Sequence, residues 1–395
     1  MSRSSFSVVC SLVATAAAAS AATQPEPSLP GVAAAMQQVV DAREMAGVVV
    51  LVTDKDRVLH VSATGAADAD AKKAMAADTV FALASTTKLF TTVAVHMLQE
   101  EGKLKLSDPL AKYIPAYADL RTPSGQPANL TIEHILTHTS GIGDVPREKY
   151  AAATNLAEFV AAYFPAPPMR AEPGAEFRYA GIWDTVGRVV EIVSGKSLDE
   201  FLHERIFQPL GMRDTTFYPD EAQRARLAVP HGRNRDGGFT SRPWPTLPTR
   251  GKTPPIPGGG AYATAGDLAR FGQMLLRRGE LDGRRYLSEA SFASLTRIRT
   301  GGLRTGFSAG EFNDVLGWGA GAYVVRNAKP GGVSALLSPG SFGHPGARGI
   351  HLAVDPTRGV AFVLLQLANP SDNFENAATR VLVGSTLAAL KPPAK

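Results

Sequence analysis

The sequence predicts an α/β protein of two lobes: an antiparallel sheet flanked by helices, interrupted by an inserted, mostly helical lobe. Three observations lead there. Strand-like segments bracket the chain, near residues 47–63 and again after residue 319. The stretch between them is a series of helix-period segments divided by Pro and Gly, the strongest local breakers. The length of 395 residues exceeds what one hydrophobic core usually supports. A hydrophobic content of 44% suits a folded, globular chain.

Residues 1–21 carry Arg3, an apolar stretch from Phe6 to Ala19 and the small residues Ala19, Ser20 and Ala21. A basic start, a short apolar core and a small-residue site form a secretory signal peptide, here expected to be cut after Ala21. The protein is therefore expected in the periplasm or outside the cell. Cys10 is the sole cysteine and leaves with that segment, so the mature chain is expected to have no disulfide. Residues 22–100 form the first part of the α/β lobe, residues 101–279 the helical lobe and residues 280–395 the second part of the α/β lobe.

Within the first part, residues 32–43 have helical spacing. Residues 47–53 and 57–63 read as strands around an Asp54-Lys55-Asp56 turn. A helix is expected from Ser85 to Glu101, with Leu89, Val93, Met97 and Leu98 on its apolar face and Gly102 as its stop. In the middle lobe, helices are expected over 131–138, 156–163, 183–194 (stopped by Gly195), 198–207 and 265–277. Residues 236–260 are a Pro- and Gly-rich loop, a candidate wall of the cleft or a plain connector. Strands return at 319–326, 341–344, 349–354 and 360–367, and a helix over 373–389 follows. The longest late apolar run, Val360 to Ala368, is too short to span a bilayer. The net charge of +5 is spread along the chain without a dense Lys/Arg run interleaved with aromatics, which argues against a nucleic-acid partner.

Ser85-Thr86-Thr87-Lys88 puts a hydroxyl and an amine three residues apart at a helix start, where positions i and i+3 share a face. A serine hydroxyl is a weak nucleophile until a neighbouring base takes its proton, and lysine can be that base. Further segments follow: Thr131-Ile-Glu-His-Ile-Leu-Thr-His138-Thr-Ser-Gly, Pro173-Gly174 through Tyr179-Ala-Gly181 with Asp184, Gly258-Gly-Gly-Ala-Tyr262, and Phe342-Gly-His344-Pro345-Gly346. In this order and spacing they resemble the serine β-lactamase-related family, which includes class C β-lactamases, family VIII carboxylesterases and D-amino-acid-specific peptidases. The resemblance implies a β-lactamase/penicillin-binding transpeptidase-like fold and no cofactor.

It also implies residue roles. Ser85 matches the acylated nucleophile, Lys88 its partner base, and Tyr179 the tyrosine that exchanges protons with nucleophile and leaving group. Which of Lys88 and Tyr179 takes the first proton stays open. His344 to Gly346 match the strand beside the acyl group, and the backbone N–H groups of Ser85 and Ala347 would form the oxyanion hole. Two positions depart from the family pattern. Gly181 stands where the family has an asparagine, and Pro345 where it has a hydroxyl residue. A β-lactam would lose two contacts, so a small-molecule ester is the expected substrate, with β-lactam or D-amino-acid amide hydrolysis, acyl transfer, or a catalytically silent binding protein as alternatives. Arg348, just after the motif, is either a carboxylate binder or a surface arginine. His134 and His138 have zinc-pair spacing, but Glu133 precedes rather than follows the first histidine and no third ligand is evident, so no metal is expected. No feature indicates an oligomeric state.

Overall fold

The computed structural model describes residues 29–390 apart from positions 144, 150, 165, 167, 180, 308–313, 328–334 and 368–376. The expected signal peptide lies outside the described residues. In chain order, helix α1 (Pro30–Asp41) precedes strands β1 (Gly47–Asp54), β2 (Val58–Asp68), β3 (Lys73–Ala74) and β4 (Phe81–Ala82). A 3₁₀ turn over Ala84–Thr87 then runs into α2 (Lys88–Glu100). The middle holds α3 (Ile132–Leu136), α4 (Leu156–Ala161), α5 (Asp184–Ser194), α6 (Leu198–Leu202), α7 (Gln208–Leu210) and α8 (Glu221–Ala225). A hairpin of β5 (His231–Arg233) and β6 (Phe239–Ser241), short β7 (Tyr262–Ala263) and α9 (Ala265–Leu276) follow. After the β8 (Glu280–Leu281)–β9 (Arg284–Arg285) hairpin and α10 (Glu289–Thr296) come β10 (Leu316–Trp318), β11 (Tyr323–Val325), β12 (Phe342–Gly346), β13 (Ile350–Asp355), β14 (Val360–Leu365) and α11 (Ala377–Ala389).

The main sheet has the order β10-β11-β12-β13-β14-β1-β2-β3 with antiparallel neighbours, so early and late strands meet at β1 and β14. Their near-continuous apolar runs suit strands buried on both faces, and alternate residues serve two cores. Val49, Leu51, Ala361, Val363 and Leu365 join the large core shared with α2, α5 and α9. Val48, Val50, Val52, Val360, Phe362 and Leu364 join a second core under α1 and α11. A one-residue slip of β1 would exchange the two faces.

Local punctuation explains most element ends. Gly195 and Gly211 end their helices in the left-handed conformation, at φ 71° each. Two expectations need correction. The segment 319–326 is not one strand: it is the end of a hairpin whose turn, Gly319 to Ala322, closes through a bond from Gly319 N–H to the Ala322 carbonyl, with Gly321 at φ 104°. The helix expected over 131–138 is only Ile132–Leu136; Thr131 is its N-cap, and His138 turns out of the helix at φ 56°. The helix expected over 198–207 is α6 continued through a π turn. Among the described residues no helix is long and apolar enough to cross a membrane.

Candidate active site

The 3₁₀ turn before α2 presents Ser85 half-buried, while Lys88, the first residue of α2, is only 5% exposed. Lys88 Nζ donates to Ser85 Oγ at 3.1 Å and to the Gly258 carbonyl at 2.7 Å. Ala84, just before the serine, holds the left-handed backbone at φ 46°, a conformation that costs a non-glycine residue about 1 kcal/mol or more. The turn is held from several sides. Leu83 N–H donates to the Ala261 carbonyl, Ala261 N–H to Thr87 Oγ1, and Thr91 Oγ1 to the Pro257 carbonyl. The last residues of the Pro- and Gly-rich loop are therefore strapped to the serine turn, so this end of it is a fixed wall of the cleft.

Strand β12 approaches from the other side. Thr86 Oγ1 donates to the His344 carbonyl at 3.1 Å. A Cβ on Gly346 would stand 2.3 Å from the Leu83 carbonyl oxygen, so only glycine lets the strand pass this close to the serine turn. Pro345, which has no N–H, stands beyond the end of β11, whose pairing with β12 stops at Gly343. Ala347 follows at the exposed tip between β12 and β13. Gly181 opens the 3₁₀ turn that leads into α5.

Tyr179 is half-buried, and its ring lies 5.2 Å from Lys88 Nζ, with the indole of Trp183 5.6 Å away on the same ammonium. The Tyr179 hydroxyl meets His344 Nε2 at a long 3.4 Å. His344 Nδ1 is 2.6 Å from the Pro345 carbonyl. A carbonyl only accepts, so Nδ1 carries the ring proton and Nε2 accepts from the tyrosine. Burial first, then the Lys88 charge, lower the His344 pKa well below the ordinary histidine value. His344 is thus a neutral acceptor at pH 7.

Three contributors, Asp184, Gly258 and His138, lay outside the sequence-based site. Asp184, at the first position of α5, is buried; its carboxylate accepts from Tyr163 O–H at 2.9 Å and from Gly258 N–H at 3.2 Å. It thereby fixes the glycine whose carbonyl fixes Lys88. Burial raises its pKa and the nearby Lys88 opposes that rise. The adjacent α5 start, Trp183-Asp184, was the available sequence signal. His138 is the third: its ring packs 4.4 Å from that of Tyr179 within a cluster that includes Trp183 and Trp318. His134 is separate from the site, with Nδ1 in a capping box on Thr131. Helical spacing suggested a pair, but the helix ends between the two histidines.

Asp184→Ala is expected to lower stability by about 1–3 kcal/mol for each buried donor left unpaired, with turnover falling as Lys88 loses its fixed carbonyl. Denaturant midpoints alongside ester turnover check this. Wild-type values for both would remove Asp184 from the site.

The chain matches the family model described as Beta-lactamase over residues 32–385. It is 32% identical to penicillin-binding protein 4 of Amycolatopsis lactamdurans, over 86% of this chain and 85% of that one. It is 30% identical to esterase EstB of Burkholderia gladioli, over 60% of this chain and 67% of that one. Among solved structures, EstCE1, a hydrolase with promiscuous acyltransferase activity, superposes with a TM-score of 0.75 at 24% identity, covering 91% of this chain and 98% of that one. This last likeness concerns the fold.

Proposed function

The chain belongs to the β-lactamase family of serine hydrolases, and from that premise we propose that it is an exported carboxylesterase working through an acyl-enzyme on Ser85. The carrying observation is the buried Lys88 amine 3.1 Å from the Ser85 hydroxyl, held by the Gly258 carbonyl. Ser85 Oγ attacks the ester carbon, and its proton passes into the Lys88–Tyr179 pair. The carbonyl electron pair moves onto oxygen, where the backbone N–H groups of Ser85 and Ala347 receive it; such donors lower the barrier by about 3–4 kcal/mol each. Collapse expels the alcohol, which takes the stored proton. Water repeats the sequence on the acyl-enzyme and frees Ser85. Export rests on the amino-terminal pattern of Arg3, the apolar stretch and Ala19-Ser20-Ala21.

An ester is favoured over a β-lactam by what the cleft lacks. Gly181 brings no amide side chain, Pro345 no hydroxyl, and His344 no charge. A missing hydrogen-bond partner costs a substrate that needs it about 1–3 kcal/mol. An activated ester depends less on such contacts because its leaving group departs readily. We expect kcat/KM for p-nitrophenyl butyrate to exceed that for nitrocefin by at least about tenfold, which corresponds to ~1.4 kcal/mol. Nitrocefin winning by that factor would replace this reading with a β-lactamase, and a D-alanyl peptide winning would replace it with a peptidase. Lack of labelling by a fluorophosphonate would point to a silent binding protein.

A further inference from the structure

Beside the serine turn lies a cavity of about 270 Å³. Its wall includes Ala84, which precedes Ser85, and Ala347, which follows the His-Pro-Gly strand, so it adjoins the serine turn. Trp244, Tyr262 and Leu367 give it an apolar lining, and Arg348 is part of its wall. A small cavity with mostly apolar walls and one guanidinium in its lining fits a short hydrocarbon arm that carries an acid.

Two features mark Arg348 as more than a surface residue. It is half-buried, and it occupies a left-handed position, φ 71°, in the three-residue turn closed by the Gly346–Ile350 pair. Glycine or asparagine would hold that turn at lower conformational cost. A second guanidinium is near. Arg242 leaves the β5–β6 hairpin and packs over Gly232, where an added Cβ would lie 2.2 Å from its Nε. Burial first, then the like charge of Arg242, disfavour the Arg348 cation, and an arriving carboxylate relieves both. A guanidinium has five N–H donors in a planar fork, enough to take a carboxylate in addition to the contacts it already makes.

Resting on the esterase reading above, we propose that the preferred substrates are esters with a short apolar arm ending in a carboxylate, seated in the Trp244–Tyr262 cavity with the acid on Arg348 and Arg242. This recognition comes from a turn and an inserted hairpin, not from the side chains of β12.

Two matched pairs test it. On the acyl side, mono-4-nitrophenyl adipate is compared with its methyl ester. On the alcohol side, 4-(carboxymethyl)phenyl butyrate is compared with its methyl ester. We expect the acid of one pair to be favoured about tenfold in kcat/KM, chiefly through KM, as one charge-assisted pair allows. Arg348→Gln should erase that preference, Arg348→Lys should keep part of it, and Arg242→Gln, at an exposed position, should reduce it. Ratios near one for both pairs in the wild-type enzyme would overturn the inference and leave the esterase reading intact. So would a preference that survives Arg348→Gln. Absence of turnover on all four esters would overturn both.

Discussion

Replacing Ser85 by alanine is expected to abolish fluorophosphonate labelling and to cut ester turnover by on the order of 10⁴–10⁶-fold, the scale on which serine hydrolases lose activity with their nucleophile. The fold should survive. Ser85 is half-buried, and the change removes one hydroxyl whose partner, Lys88, keeps its bond to Gly258. Lys88→Ala and Tyr179→Phe should each cost ~10²–10⁴-fold, as general acid–base groups do. The ammonium lies 5.2 Å from the tyrosine ring, so one proton path should serve both. Their double variant should then cost far less than the product of the single losses. Near-wild-type turnover in Ser85→Ala would end the serine mechanism, and strictly multiplicative losses at Lys88 and Tyr179 would separate their roles.

Acidification is expected to destabilise this protein well before its carboxylates titrate in bulk. His96 is fully buried and burial lowers its pKa to about 4; burial lowers that of His351 to about 3. His138 and His344 are lowered well below the ordinary value for the same first reason, with Lys88 next. A histidine whose folded pKa lies below its unfolded one stabilises the fold while neutral. That contribution is whole above about pH 6.5 and is lost as pH falls toward the folded value, because the unfolded chain binds the proton first. At pH 5 the loss is about 2 kcal/mol for each of His96 and His351, and His138 and His344 add to it. Buried acids oppose this. Asp267, raised to about 6 chiefly by burial, returns about 1 kcal/mol over the same interval, and Asp184 and Glu191, also raised by burial, act in the same direction. The histidines outweigh them, so the urea midpoint should fall steadily from pH 7.5 to 5. A flat or rising midpoint would refute this balance, and His96→Leu should make the slope shallower.

What the sequence determined by itself was whatever depends on short spacing or on period. The i, i+3 relation of Ser85 and Lys88 needs only a helical turn, and the structure places them in contact. The apolar runs of β1 and β14 announced strands, which the structure buries on both faces, and Gly195 announced a helix end. The order of motifs pointed to the family and its fold. Where a local signal competed with a turn, the sequence misled: Gly319–Ala322 folds a hairpin inside an apolar run, and the chain leaves its helix before His138.

Only the tertiary structure decided what surrounds these groups, because that depends on contacts across long stretches of chain. Gly258 reaches Lys88 from 170 residues away, and Asp184 holds Gly258 from 74 away. Neither spacing has a periodic signature. The charge of His344 was equally illegible. A residue type gives an ordinary pKa near 6.5, but burial within the sheet and the Lys88 ammonium decide that this imidazole is neutral. The need for glycine at Gly346 likewise arises only where β12 crosses the Leu83 carbonyl. Local chemistry is written in neighbours along the chain, whereas its environment is set by packing, which brings together residues that the sequence keeps apart.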